Sequence, residues 1–183
     1  MEHNDNYIFN SQLALPYLES DEKVIEKIFK VLQSRFNLTP HSRQRLIDLG
    51  AGDGTVIIHS AVKYDIESIG VEIKPSLVED LRERIEKIKI KQEELEPRLQ
   101  KIKIIQGDLF QQSLEGFNFV YIFSLPTMQR FLNHVFQTAK KGTIFISYKY
   151  PLEGFSYLEL KHHFKVKIGE NPVSTYFYEK TEG

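Results

Sequence analysis

The stretch "RLIDLGAGDGTVI", Arg45 to Ile57, decides how the rest of the chain is read. An apolar, strand-like run with one acid at Asp48 leads straight into three alternating glycines, Gly50, Gly52 and Gly54. The helical pattern "GTVIIHSAVKY" rises directly out of them. Glycines let a backbone turn sharply and approach a ligand closely, and the following helix start offers unpaired N–H groups. The spacing narrows the ligand. A dinucleotide fingerprint, G-x-G-x-x-G, needs glycine at position 55, which is Thr55, and the lysine of a P-loop is also missing. The loop suits a nucleoside-like cofactor with no phosphate to hold.

Outward from this loop the pattern alternates. "ESDEKVIEKIFKVLQSRF" carries Val24, Ile28, Val31 and Leu32 at helical spacing, with Ser20 and Asp21 as candidate caps. "SIGVEI" reads as a second buried strand, and Pro75-Ser76 opens a long helix striped by Leu77, Leu81, Ile85, Ile88 and Leu95 that should end near Pro97. "KIKIIQG", "FNFVYIFS" and "GTIFISYKY" are predicted strands, and "TMQRFLNHVFQTA" a helix with Phe131, Val135 and Thr138 on one side. "SYLELKHH" is predicted to be a short helix, and "FKVKIGENPVSTYFYEK" a β-hairpin around Gly169, Asn171 and Pro172. This alternation predicts an α/β fold: a Rossmann-like, doubly wound sheet of seven strands, mostly parallel with the last antiparallel, and helices on both faces. Residues 1–40 form an N-terminal segment and helix expected to pack over the cofactor site, and 41–183 a single domain.

Composition bounds the function. A chain of 183 residues builds one core, and 41% hydrophobic and 27% charged residues are ordinary for a globular protein. A formal net charge of −1 gives no global reason to expect a nucleic-acid partner. With no cysteine, thiolate catalysis and Cys-ligated zinc are excluded, and no metal site is expected. No apolar run approaches the roughly 20 residues of a membrane span. The polar opening "MEHNDNYIFNSQ" is unlike a targeting peptide, so a cytoplasmic address is expected.

The next two strand ends test the cofactor reading. Glu72 in "GVEIKP", eighteen residues after Gly54, stands where an acid can accept both hydroxyls of a ribose. Asp108 in "IIQGDLF" stands where an acid can accept from an adenine amino group. Their neighbours Ile73 and Leu109 complete the two strand-end segments.

"DLGAGDGT", "GVEIKPSLV", "GDLF" and the reversed terminal hairpin together resemble the seven-strand S-adenosylmethionine-dependent methyltransferases, over roughly residues 14 to 180. The resemblance implies S-adenosyl-L-methionine as cofactor, held by Tyr17, Asp48, Gly50, Gly52, Gly54, Glu72, Ile73, Asp108, Leu109 and Ser124. "LPYLES", "IFSLPTMQRFL" and "ISYKYPLEGF" are further similar to motifs of small mitochondrial and archaeal protein-lysine methyltransferases. That likeness implies a lysine ε-amine of a protein as acceptor, reached past Leu125, Pro126, Tyr148 and Tyr150. After the fourth strand stands Ser124-Leu125-Pro126-Thr127, not the Asp/Asn-Pro-Pro-aromatic signature of adenine amine methylation. A small molecule or RNA is the alternative acceptor, and a non-catalytic adaptor the reading from another class. No residue is assigned as a general base. His162 and His163 are read as surface residues, and the charged helix after Pro75 as a solvated face.

Overall fold

The computed structural model describes residues 20–182. Helix α1, Glu22–Arg35, is capped by the Asp21 carboxylate, which accepts from the N–H groups of Lys23 and Val24. Its spacing buries Val24, Ile25, Ile28, Phe29 and Leu32 on one stripe. Strand β1, Arg45–Leu49, feeds the glycine loop and then α2, Thr55–His59, which continues as a π-helical turn through Tyr64. Strand β2 is Glu67–Glu72, α3 is Pro75–Lys91, α4 is Glu96–Leu99 and β3 is Ile102–Gln106. Strand β4, Phe119–Ile122, leads into α5, Pro126–Gln129, and α6, Asn133–Gln137. Strands β5, Ile144–Tyr148, β6, Leu158–Ile168, and β7, Asn171–Lys180, finish the chain.

The seven strands form one sheet in the order β3-β2-β1-β4-β5-β7-β6, and β7 alone runs against its neighbours. Side chains alternate across it. Leu46, Phe119, Tyr121, Ile146 and Tyr148 face a core shared with α1, α2 and α3, whereas Ile47, Leu49, Val120, Ile122 and Phe145 face one shared with α6. Phe29 ties α1 to α2, its ring 4.8 Å from His59 and 5.1 Å from Tyr64. Truncating such a buried ring to alanine costs about 3–5 kcal/mol. Among the described residues no helix is long and apolar enough to cross a membrane.

Two local expectations are corrected. "SYLELKHH" is not a helix but the front of β6, an eleven-residue strand on the sheet edge. Of that strand only Leu158 and Phe164 are buried, and a bulge between Leu160 and His162 breaks the alternation that marks a strand. The helix after β4 is also broken, with a 3-10 turn at Arg130–Leu132. That turn rotates the buried stripe onto Leu132, Val135 and Phe136 and leaves Phe131 39% exposed.

Candidate active site

The strand order reverses between β1 and β4, and in open α/β sheets a crevice forms beyond the strand ends at such a point. Here it is a cleft of about 170 Å³. The glycine loop makes its floor. Gly50 sits at φ 101°, which a side chain rarely tolerates, and this lets the N–H groups of Gly50 and Ala51 both donate to the Val71 carbonyl at 2.9 and 2.8 Å. The Glu72 carboxylate then pins the loop from β2: Oε2 accepts from Gly52 N at 3.0 Å and Oε1 from Lys74 N at 2.9 Å. Each oxygen keeps a further lone pair, and Glu72 still lines the cleft. Gly54 caps α2 with no Cβ because one there would collide with the Leu81 side chain on α3.

Asp48 lies deepest. It sits opposite Gly70 on β2 and Tyr121 on β4, is 2% exposed, and its Oδ1 has no hydrogen-bond partner among the described residues. Burial, with the nearby charges of Asp53 and Glu72, holds its carboxyl well above the usual carboxylate range. The buried Ser124 hydroxyl, also at the cleft wall, is likewise unpartnered. Tyr121 completes the wall, its hydroxyl 2.7 Å from Ser20 Oγ. Burial, and then the charge of Asp48, push that phenol well above its ordinary range.

Of the residues expected at the cofactor, Asp48, Gly50, Glu72, Ile73, Leu109 and Ser124 meet around this cleft, joined by Leu125 from the acceptor set. Gly52 and Gly54 shape the loop without lining the cavity. Asp108 also stands outside the lining, because its Oδ1 accepts from Phe110 N at 2.9 Å to cap the turn Leu109–Gln111. Pro126 opens α5 behind Leu125. Tyr148 lines a second cavity, which shares Ser20 and Phe123 with the first. Tyr150 lines neither, its ring 6.4 Å from that of Phe123. Tyr17 lies outside the described residues. Sequence reasoning missed Tyr121 and Phe123, which the alternation of β4 brings to the cleft face. It also missed Arg84, whose Nη1 reaches from α3 to Asp53 Oδ2 at 2.5 Å and Thr55 Oγ1 at 2.9 Å.

Residues 48–159, more than half of the chain, match the ANTKMT methyltransferase domain. The chain belongs to this methyltransferase family. A protein-lysine N-methyltransferase of Saccharolobus islandicus (strain REY15A) is 24% identical over 167 residues, which cover 90% of this chain and 92% of that protein. A lysine N-methyltransferase of Rattus norvegicus, named for a component of ATP synthase, is 33% identical over 67 residues, 37% of this chain and 27% of that protein. Among solved structures, an RNA methyltransferase from Salinibacter ruber in complex with S-adenosyl-L-homocysteine superposes with a TM-score of 0.69 at 20% identity. That match covers 91% of this chain and 95% of the other. A magnesium protoporphyrin IX methyltransferase from Synechocystis PCC 6803 with bound SAM superposes at 0.67 and 11% identity, covering 87% and 79%. At these identities the solved structures speak for the fold, and the cleft sits where that fold turns.

Proposed function

We propose that this methyltransferase uses S-adenosyl-L-methionine and delivers the methyl group to the ε-amine of a lysine in a protein. The observation that carries the cofactor is that Asp48 and Ser124, both lining one cleft, each hold a buried polar atom, Oδ1 and Oγ, without a hydrogen-bond partner among the described residues. Arg45, Ser60 and Thr175 also hold such atoms, but among the described residues only Asp48 and Ser124 combine one with a place in the cleft lining, which supports a polar ligand there. A cofactor with an ammonium at one end and ribose hydroxyls at the other fits the acids present. Asp48 accepts from the ammonium, Glu72 from the ribose hydroxyls, and Ile73 and Leu109 supply apolar walls for the base. Asp108 supports this end through the turn that it caps.

When bound, this cofactor supplies a methyl group on a sulfonium, reactive toward a lone pair. The chain's own part is to deliver that lone pair. For a lysine with a pKa of about 10.4, losing the proton at pH 7 costs about 4.6 kcal/mol. Desolvation lowers that barrier. Phe123, Leu125 and Tyr148, the last 3% exposed, form the apolar side of the approach. Holding the amine in line contributes roughly 7–11 kcal/mol, so no dedicated base is required. The lysine acceptor is favoured by the Saccharolobus islandicus relative, which aligns across almost the whole chain.

The test incubates the protein with methyl-labelled cofactor and a cell lysate, then splits the sample between protease and RNase. Label released by protease and recovered as methyl-lysine is expected. Label released by RNase alone overturns the lysine acceptor. Calorimetry with the cofactor separates an enzyme from an adaptor: absence of binding, with Glu72→Ala indistinguishable from the unsubstituted chain, removes the enzymatic reading.

A further inference from the structure

The second cavity adjoins the donor cleft through Phe123, whose side chain lines both. Around it stands a small aromatic cluster. The Phe123 ring meets Tyr148 edge-on at 4.8 Å and lies 6.4 Å from Tyr150. One cation already sits on this cluster: Lys149 Nζ is 5.9 Å from the centroid of Phe123 and 5.9 Å from that of Tyr150. No carboxylate pairs with Lys149 among the described residues. Two carboxylates line the same cavity, Asp21, whose Oδ1 caps α1, and Glu22, and neither forms an ion pair with Lys149. The ammonium therefore rests on ring faces, which attract cations within about 6 Å.

The backbone holds it there. Lys149 adopts φ 72°, a left-handed conformation in which glycine is the usual residue, and its N–H donates to the Ser174 carbonyl of β7 at 2.7 Å. A strained backbone at a site boundary is a reason to ask what the side chain is held for.

We propose that the Phe123–Tyr150 ring pair is the cation site at the acceptor entrance, and that Lys149 occupies it until an incoming lysine displaces it. Lys149 is then a built-in competitor for the acceptor's ammonium and a positioning residue for acceptor specificity. This rests on the lysine reading of the donor cleft.

Steady-state kinetics with polylysine as acceptor test it on the full chain. Lys149→Met keeps the stem and removes the charge. It should lower KM for polylysine about two- to fivefold, the equivalent of the roughly 0.5–1 kcal/mol of an exposed cation–π contact. The Kd for S-adenosylmethionine by calorimetry should not change. Lys149→Arg, which retains a cation for the rings, should keep the original KM, and Tyr150→Leu should raise it. A KM for Lys149→Met equal to or above that of the unsubstituted enzyme, with polylysine still methylated, overturns this inference alone. Failure of the unsubstituted enzyme to methylate polylysine, with cofactor binding intact, removes the lysine reading and the inference together.

Discussion

Replacing Asp48 by asparagine exchanges a charge for an amide of the same shape at a position 2% exposed. The carboxylate has an unpartnered Oδ1, and Asp53 and Glu72 add like charge around it. The asparagine oxygen stays unpartnered as well, so the gain comes from removing the charge, about 1.4 kcal/mol for each pH unit by which the fold raises the carboxyl. Without cofactor, Asp48→Asn should therefore be the more stable protein at neutral pH. At about 2–4 °C per kcal/mol for a chain of this size, the gain in Tm is about 3–6 °C for each such unit. The pH dependence has a definite sign. In the unfolded chain this carboxyl titrates near ~3.9. The fold keeps its proton to higher pH, so the native state binds more protons and the unfolding free energy falls as pH rises between the two values. The advantage of Asp48→Asn should be absent below about pH 4, where both states are protonated, and full above the folded pKa. Calorimetry on the same samples should show weaker cofactor binding, by about tenfold to a hundredfold for one lost charge-assisted hydrogen bond. Thermal melts across pH check the first part. A variant less stable than the original at neutral pH, or a gain of the same size at every pH, refutes the reasoning.

Other perturbations probe the supports of the glycine loop. In Gly70→Ala the new Cβ lands 2.8 Å from Ala51 Cβ and 2.8 Å from Ile57 Cδ1. Overpacking of that kind costs about 1–3 kcal/mol in a chemical melt, and because Ala51 lines the cleft, cofactor affinity should fall with it. Arg84→Gln removes the link from α3 to Asp53 and Thr55; the Arg84 and Asp53 side chains are 37% and 40% exposed. Solvent screening limits its worth to about 1 kcal/mol or less, so calorimetry should show up to about a fivefold loss of cofactor affinity, smaller at high salt.

The glycine loop and the strand ends around the first cleft were legible because they depend on spacing. Glycines at 50, 52 and 54 after an apolar run imply a backbone turn, and an acid at each following strand end implies a partner. What spacing could not show was how an acid divides its hydrogen bonds. Asp108 caps a turn, and Glu72 pins Gly52 and Lys74 while facing the cleft; both roles require the same residue type at the same place. Arg84 was invisible because its partners are twenty-nine and thirty-one residues away and nothing local announces them. Strand β6 was misread for a different reason. At a sheet edge most of its side chains face solvent, Leu160 is 51% exposed, and hydrophobic period carries no signal there.

The Gly169–Glu170 turn joins β6 to β7, and Ile168 and Val173 on these strands line the second cavity. The first cleft, by contrast, is built mainly from β1, β2 and the segments after β3 and β4. Apart from Ser20 and Phe123, which line both, the two cavities draw on different stretches of chain. On the proposed lysine reading, a lengthened or recharged hairpin tip would change which proteins dock and leave the residues of the first cleft in place. On that reading, a fold of this kind can exchange clients by editing one β-turn and keep the residues that serve the methyl donor.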